Sequence, residues 1–188
     1  MPAPVRKPPA PERKDTNVAS RLHRIDPQLS PARPDFRVAQ MVGRSFRCGM
    51  LARRETSGLS WSFAWQEIAS VAGPAQADHL VTALGHFVES VDRTAARRIE
   101  VLPKGCPGLC RDECLAVSII AASQLGACPA LKACVYALID CSNIETCIAT
   151  AGTFSAALHQ AGQSLPPDVV CNALALLPPE PIASRYNA

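Results

Sequence analysis

Residues 105–147 read GCPGLCRDECLAVSIIAASQLGACPALKACVYALIDCSNIETC. This segment holds seven of the nine cysteines in a chain of 188 residues, and it is the most apolar part of the protein. Gly126 interrupts it in the way that glycine ends a helix, and Pro129 suits the first turn of the next helix. We therefore expect helices on both sides of Gly126 to form the core, with the remaining helices packed around them.

The composition favours helices over a β-sandwich. Hydrophobic residues make up 48% of the chain and charged residues 19%, as in an ordinary globular domain. Aromatic residues are scarce at 5%, and the abundant small side chains suit closely packed helices better than sheets. A chain of this length can bury a core of its own. The sequence predicts an all-α fold, a compact multi-helix bundle.

Charge and proline content divide the chain into three parts. Residues 1–34 combine many prolines with charges, which predicts a disordered basic tail. Residues 35–177 form the predicted helical domain, and residues 178–188 are predicted to be a loose C-terminal tail. Residues 1–54 carry 12 Lys and Arg against 4 Asp and Glu, whereas residues 55–188 carry 7 against 12. Such a basic arm could contact nucleic acid or lipid, or it could be only a solvated tail.

Apolar spacing and turn residues predict the helices. They cover about residues 36–54, 61–72, 75–96, 110–125, 129–140, 142–161 and 168–176. The candidate caps are Asp35, Ser60, Ser142 with Glu145 at capping-box spacing, and Asp168. In the second helix, Trp61, Trp65, Ile68 and Val71 are spaced for burial. Residues 99–102 are predicted to be an extended connector.

The first predicted helix carries arginines on the face opposite its apolar residues. They are Arg37, Arg44, Arg47, Arg53 and Arg54. A helix with such a face could lie against a phosphate backbone, which makes these five residues candidates for contact with nucleic acid or another anion. The alternative is an amphipathic helix on the surface of the bundle whose arginines are only solvated.

The spacing of the cysteines allows a thiolate metal site. No CxxC pair occurs, so zinc ribbons and thioredoxin-like redox sites are not indicated. Cys110 and Cys114 are four residues apart, and Cys134 and Cys141 are seven apart, so each pair shares a helix face. If the two helices are antiparallel neighbours, the four thiols could converge to hold Cu(I) or Zn. The candidate ligands are Cys110, Cys114, Cys134 and Cys141, with Cys106 and Cys147 at the periphery.

The alternative is that the cysteines only fill the core. Free cysteine is among the most buried residue types and packs like a small hydrophobe, and on this interpretation no cofactor is expected. Catalysis by a thiol is not indicated either. A helix N-terminus and Arg111 could activate Cys106 or Cys110, but the negative charges of Asp112 and Glu113 oppose this by raising a thiol pKa. We therefore expect a protein that is not an enzyme.

Segments that direct a protein out of the cytoplasm are not found in the sequence. The first residues, MPAPVRKPPAPERK, contain no apolar stretch of the kind that a secretory signal needs. The longest weakly charged run contains polar residues, glycine and proline, so no membrane span is predicted. We expect a cytoplasmic protein with reduced cysteines, because an odd number of them argues against a complete disulfide framework.

Two parts of the chain resemble known groups of proteins. Residues 134–158, CVYALIDCSNIETCIATAGTFSAAL, resemble part of the cysteine-rich four-helix-bundle copper-storage proteins, in which thiols line the bundle and hold Cu(I). This resemblance implies Cys134, Cys141 and Cys147 as ligands.

About residues 61–165, with HLVTALGHFVESV, GC..L..DE.L and IAA.Q, are similar to a group of small all-helical bacterial proteins of unassigned function. The positions that carry this similarity include Gly105, Cys106, Leu109, Asp112, Glu113, Leu115 and Gln124. It implies an all-α fold and no known chemistry, with the two acidic residues at the start of a helix, where the helix dipole favours negative charge.

These observations predict a non-catalytic cytoplasmic interaction or regulatory protein with a cysteine-rich helical core. The partner that we expect is another protein. One alternative is a helical-bundle protein that binds Cu(I) or Zn through thiolates. Another is a nucleic-acid-associated protein that uses its basic N-terminal segment.

Overall fold

The computed structural model describes residues 36–55 and 58–172 of the chain. Among these residues the structure is all-α, with seven helices and no strand, which confirms the predicted fold class. The helices are α1 (Arg37–Arg54), α2 (Leu59–Ala72), α3 (Pro74–Thr94), α4 (Arg111–Gln124), α5 (Cys128–Ile139), α6 (Glu145–Gln160) and α7 (Asp168–Asn172). Within this part of the chain, no helix is both long and apolar enough to cross a membrane. The predicted tails, residues 1–34 and 178–188, and the cap at Asp35 lie outside the described residues.

Helix α4 lies in the interior of the bundle. All eleven residues from 112 to 122 are buried, and α1, α5, α6 and α7 pack on them. The alternation of large and small side chains in LAVSIIAA lets helices approach from several directions. Leu115 and Ile119, together with Leu138 of α5, are almost completely buried, so residues 105–147 contribute to the core as predicted.

Helix α1 is also interior, which corrects the expectation of an amphipathic surface helix. Ten of its 18 residues are buried, and α2, α3 and α4 all pack on it. Two glycines explain this close packing. A Cβ atom at Gly43 would lie 2.6 Å from Leu109 Cδ1, and one at Gly49 would lie 2.7 Å from Val88 Cγ2. The absence of side chains here gives neighbouring residues room that hydropathy alone does not reveal.

The sequence located helix ends better than helix starts. Helix α2 stops at Gly73, which has φ = 85°, as predicted, and α3 begins at Pro74, one residue before its predicted start. This left-handed conformation costs glycine little, and proline suits the first helical turn. No residue other than Gly73 separates the two helices.

Two predicted caps are wrong. Ser60 lies inside α2, and its hydroxyl donates to Glu55 Oε2 at 2.6 Å. Ser142 lies in the bend before α6, whose N-cap is Ile144, and this cap makes no side-chain hydrogen bond. Asp168 is the first residue of α7, and the predicted extension of that helix to Leu176 lies outside the described residues.

Candidate functional site

The start of α4 carries two adjacent buried carboxylates, each paired with an arginine. Arg97 donates to both oxygens of Asp112 at 2.7 Å. Arg47 of α1 donates through Nε to Glu113 Oε1 at 2.7 Å and through Nη2 to Oε2 at 2.9 Å. Arg47 is 2% exposed and Glu113 is 0% exposed. Two-point pairing of this kind is among the strongest side-chain interactions.

The segment between α3 and α4 completes the bonding of the carboxylates. The backbone N–H of Glu100 donates to Asp112 Oδ2 at 2.7 Å. The N–H groups of Leu102 and Cys110 donate to the two oxygens of Glu113 at 2.9 and 2.8 Å. The carboxylates therefore hold an irregular segment in place as well as pairing with arginines.

Arg47 bonds to the same segment from the other side. Its Nη1 donates to the carbonyl oxygens of Cys106 at 2.7 Å and Pro103 at 3.5 Å, and its Nη2 donates to that of Gly108 at 2.5 Å. Burial alone would lower the pKa of Arg47, but the hydrogen bond and charge of Glu113 raise it above its ordinary value. A guanidinium has five N–H groups, and here five hydrogen bonds use them. We refer to Arg47, Arg97, Asp112 and Glu113 as the polar network.

The arginines that were candidates for anion contact are mostly engaged within the molecule. Arg37 is exposed, whereas Arg44 lies 3.8 Å from Glu67 Oε2 and donates to the carbonyl of Pro107 at 3.2 Å. Arg53 Nε donates to Asp92 Oδ2 at 3.0 Å, and Arg54 donates to the carbonyl of Ile99. The structure corrects the prediction that Arg47 contacts an external anion, because its buried guanidinium faces Glu113 and not an outer surface.

The structure does not bring the four predicted metal-binding thiols together. Cys110 precedes α4, Cys114 lies in its first turn, Cys134 is in α5 and Cys141 follows that helix. Within residues 36–55 and 58–172, no group of three or more His, Cys, Asp or Glu side chains is placed to hold a metal ion. Of the two peripheral candidates, Cys106 is half-buried and Cys147 is buried in α6.

Burial keeps several of these thiols protonated at neutral pH. It raises the pKa of Cys110 to about 11 and that of Cys114 to about 12, and it also raises the pKa values of Cys134 and Cys147. Cys110 Sγ donates a hydrogen bond to the carbonyl oxygen of Glu100 at 3.2 Å. Because the thiolate is the nucleophile and the metal ligand, this environment disfavours both roles.

Helix α2 presents the most aromatic surface among the described residues. The spacing predicted burial of both tryptophans, but only Ile68 of the four predicted core positions is buried, whereas Trp61 and Trp65 are half-buried. They line an open groove of about 360 Å³. The lining of this groove, which we call the aromatic groove, is Trp61, Ser62, Trp65 and Gln66 of α2 and Val81 of α3.

A second apolar feature lies on another side of α2. Leu59 is 63% exposed and Phe63 is 48% exposed, one helical turn apart on α2. Ser62 and Gln66 separate this pair from the two tryptophans, because successive residues of a helix are about 100° apart. We call Leu59 and Phe63 the apolar pair. Sequence spacing could not identify this surface, because both sides of α2 carry large apolar residues.

Comparison of the chain with protein-family models, with curated proteins and with solved structures found no match. The two resemblances therefore rest on the residues quoted for them and stay predictions.

Proposed function

We propose that this protein is a non-catalytic interaction protein of the cytoplasm, and that it binds a partner protein through the exposed face of α2. The observation that carries the proposal is the clustering of exposed aromatic residues. The chain has only nine aromatic residues, and three of them, Trp61, Phe63 and Trp65, lie within one stretch of five residues. All three keep part of their surface exposed.

The physical argument rests on what such a cluster does at an interface. Single exposed apolar residues are ordinary on protein surfaces, but the aromatic groove and the apolar pair expose large apolar residues on two sides of one short helix, which favours a contact site. Tryptophan contributes large contact area and is enriched among residues that dominate binding energy. Trp65 is also held in place, since its indole N–H donates to Asp78 Oδ1 at 2.8 Å. A fixed ring loses little side-chain entropy when a partner binds.

The polar groups of the molecule support a non-catalytic role. The polar network uses its charged groups for internal hydrogen bonds, and the buried thiols have raised pKa values. A catalytic group must be able to bind a substrate or exchange a proton with it. These groups are instead buried or hydrogen-bonded within the protein. The odd number of cysteines supports a reducing compartment.

The test compares two variants with matched changes. The first, Leu59→Ser with Phe63→Ser, removes the apolar pair. The second, Leu125→Ser with Tyr136→Ser, removes two other large apolar residues that are 48% and 54% exposed. With each protein used as bait in cell extract, we expect the wild type and the second variant to retain the same partner and the first variant to lose it. Equal retention by the two variants would contradict the proposal.

A further inference from the structure

The lining of the aromatic groove carries no charged side chain. It consists of Trp61, Ser62, Trp65 and Gln66 of α2 and Val81 of α3. A charged group that entered the groove would lose part of its hydration and would meet no opposite charge in the lining. The groove is therefore suited to an uncharged ligand.

Three hydrogen-bond donors of this lining have no partner among the described residues. They are the indole N–H of Trp61, the hydroxyl of Ser62 and the amide of Gln66. Ser62 and Gln66 are exposed, and the indole nitrogen of Trp61 is not among the buried atoms that lack a bond, so all three donors reach solvent. Trp65 contributes only its ring, since its N–H donates to Asp78 Oδ1. The lining thus combines two aromatic rings with three unpaired donors.

Both rings are held in place by the rest of the molecule. Cη2 of Trp61 would lie 3.1 Å from a Cβ at Gly49 and 3.7 Å from one at Gly85, so the edge of this ring packs towards α1 and α3. The ring of Trp65 is held by its hydrogen bond to Asp78. Rings that are already fixed lose little side-chain entropy when a ligand packs against them.

A proline-rich segment matches this combination of rings and donors. Proline has no backbone N–H, and a polyproline helix has no internal hydrogen bonds, so the carbonyl groups of such a segment need donors from the surface that it meets. Aromatic-lined grooves bind these segments, and the preformed polyproline conformation reduces the entropy cost of binding. The ligand therefore requires what the lining offers and brings no charge of its own.

Other kinds of peptide match the groove less well. A partner helix bonds its own carbonyl groups internally, so it would cover the three donors without bonding to them. A partner strand binds by adding to the open edge of a sheet, and the described residues form no strand.

The spacing of the lining residues along α2 agrees with a polyproline ligand. Trp61 and Trp65 are four residues apart, as are Ser62 and Gln66, and four residues rise about 6 Å along a helix axis. A polyproline helix rises about 3.1 Å per residue, so two residues of the ligand span each pair. It has about three residues per turn, so two of every three residues can face the groove.

We infer that the aromatic groove binds an uncharged proline-rich segment of the partner protein in the polyproline conformation. The two tryptophan rings pack against the prolines, and Trp61, Ser62 and Gln66 donate hydrogen bonds to carbonyl oxygens of the segment. This inference rests on the proposed role of the α2 surface and adds the chemistry of the segment that the surface recognises.

Tryptophan fluorescence of the full-length chain provides the test. The protein has only two tryptophans, and both line the groove, so their emission reports on its occupancy. The probe is a proline decapeptide with acetylated and amidated ends, and the control is a glycine–serine decapeptide with the same ends. We expect the proline peptide to change the emission saturably, with a Kd on the order of 100 µM because a short segment buries little surface. The glycine–serine peptide should give no saturable change.

Two matched variants keep both tryptophans in place. Ser62→Ala with Gln66→Ala removes two of the three donors, whereas Ser70→Ala with Gln76→Ala changes the same residue types outside the lining. All four side chains are exposed, so both variants should keep the fold. We expect the first variant to bind the proline peptide about tenfold more weakly and the second to bind it like the wild type. Equal affinity of the three proteins would overturn the inference, as would equal binding of the two peptides or no saturable binding of either.

These outcomes are independent of the partner experiment. The titration is made without any partner protein, so a groove that binds the proline peptide in a protein that captures no partner would contradict the proposed function alone. A captured partner that depends on Leu59 and Phe63, together with a groove that does not bind the peptide, would contradict the inference alone.

Discussion

The guanidinium of Arg47 is buried against the carboxylate of Glu113, with Nε 2.7 Å from Oε1 and Nη2 2.9 Å from Oε2. The two residues are 66 positions apart in the chain and join two interior helices, α1 and α4. Their pairing holds the irregular segment before α4 against the bundle, because both partners also bond to its backbone.

Replacing Arg47 with Met should lower the free energy of unfolding by about 3–5 kcal/mol, since it leaves a buried carboxylate without its partner. Three loop carbonyls lose a donor as well. The control is Arg53→Met, whose ion pair with Asp92 is about one-third exposed, and there we expect a loss of at most about 1 kcal/mol. Urea unfolding followed by circular dichroism measures both. Arg47→Lys, which keeps the charge, provides a milder variant if Arg47→Met does not fold. If the Arg47 variants lost no more free energy of unfolding than Arg53→Met, the role of the polar network would be contradicted.

Adding a methyl group at Gly49 should destabilise the protein by about 1–2 kcal/mol, although alanine favours helix formation. The added Cβ would lie 2.7 Å from Val88 Cγ2, and Val88 is a stiff, fully buried side chain. The same change at Gly152 of α6 meets no atom within 4 Å and should stabilise by about 0.5–1 kcal/mol. Thermal unfolding of the two variants compares them. A stabilising Gly49→Ala change would show that α1 is less tightly packed than described.

The cysteines should differ widely in their reaction with iodoacetamide. Cys128 is exposed, whereas Cys114 and Cys147 are buried with raised pKa values and little thiolate at neutral pH. We expect Cys128 to be alkylated first and the two buried residues only when the chain unfolds. Site-resolved mass spectrometry of a time course measures the order. Rapid alkylation of Cys114 in the folded protein would contradict the described burial.

Stability should decline as the pH rises above 9. A thiol in the unfolded chain has its ordinary pKa of 9.0, whereas in the folded state the pKa is about 11 for Cys110 and about 12 for Cys114. The folded state holds these protons more tightly, so their contribution is complete below pH 9 and is lost as the pH rises through the folded values. Urea unfolding between about pH 8 and pH 10.5 measures the slope, which Cys114→Ala should flatten. An unchanged slope in Cys114→Ala would oppose this explanation.

Protein purified without affinity-tag metals should contain less than about one equivalent of Cu or Zn, because metal binding requires thiolates that converge on one site. Among the described residues no group of three or more ligands is placed to hold a metal ion, and several thiols have raised pKa values. Elemental analysis measures the content directly. A full equivalent of either metal in the wild type that is lost in Cys110→Ser, Cys134→Ser would instead favour the thiolate alternative.

The sequence predicted the fold class and most helix positions because these depend on local signals. Gly73 and Pro74 mark a helix boundary through their own backbone preferences, and the apolar residues around Leu115 identify a buried helix at any position in the chain. Such signals depend on a residue and its neighbours in the chain, and not on which residues pack against it.

The role of Arg47 could not be predicted in this way, since its partner is 66 residues distant. In a periodic pattern a charged residue indicates solvent, and only the three-dimensional structure places Glu113 and three carbonyls around it. The cysteine spacings had the same weakness. The interval between Cys110 and Cys114 indicates a shared face, but it does not reveal which residues that face meets.

The bonding around Arg47 also fixes the length of the connection between α3 and α4. One rigid planar group recognises the carbonyls of Pro103, Cys106 and Gly108 together with a carboxylate, so each acceptor has a set distance from the next. Inserting or deleting a single residue between Pro103 and Gly108 would displace at least one acceptor. This stretch without regular secondary structure should therefore tolerate changes of side chain more readily than changes of length, which is the opposite of what surface loops usually allow.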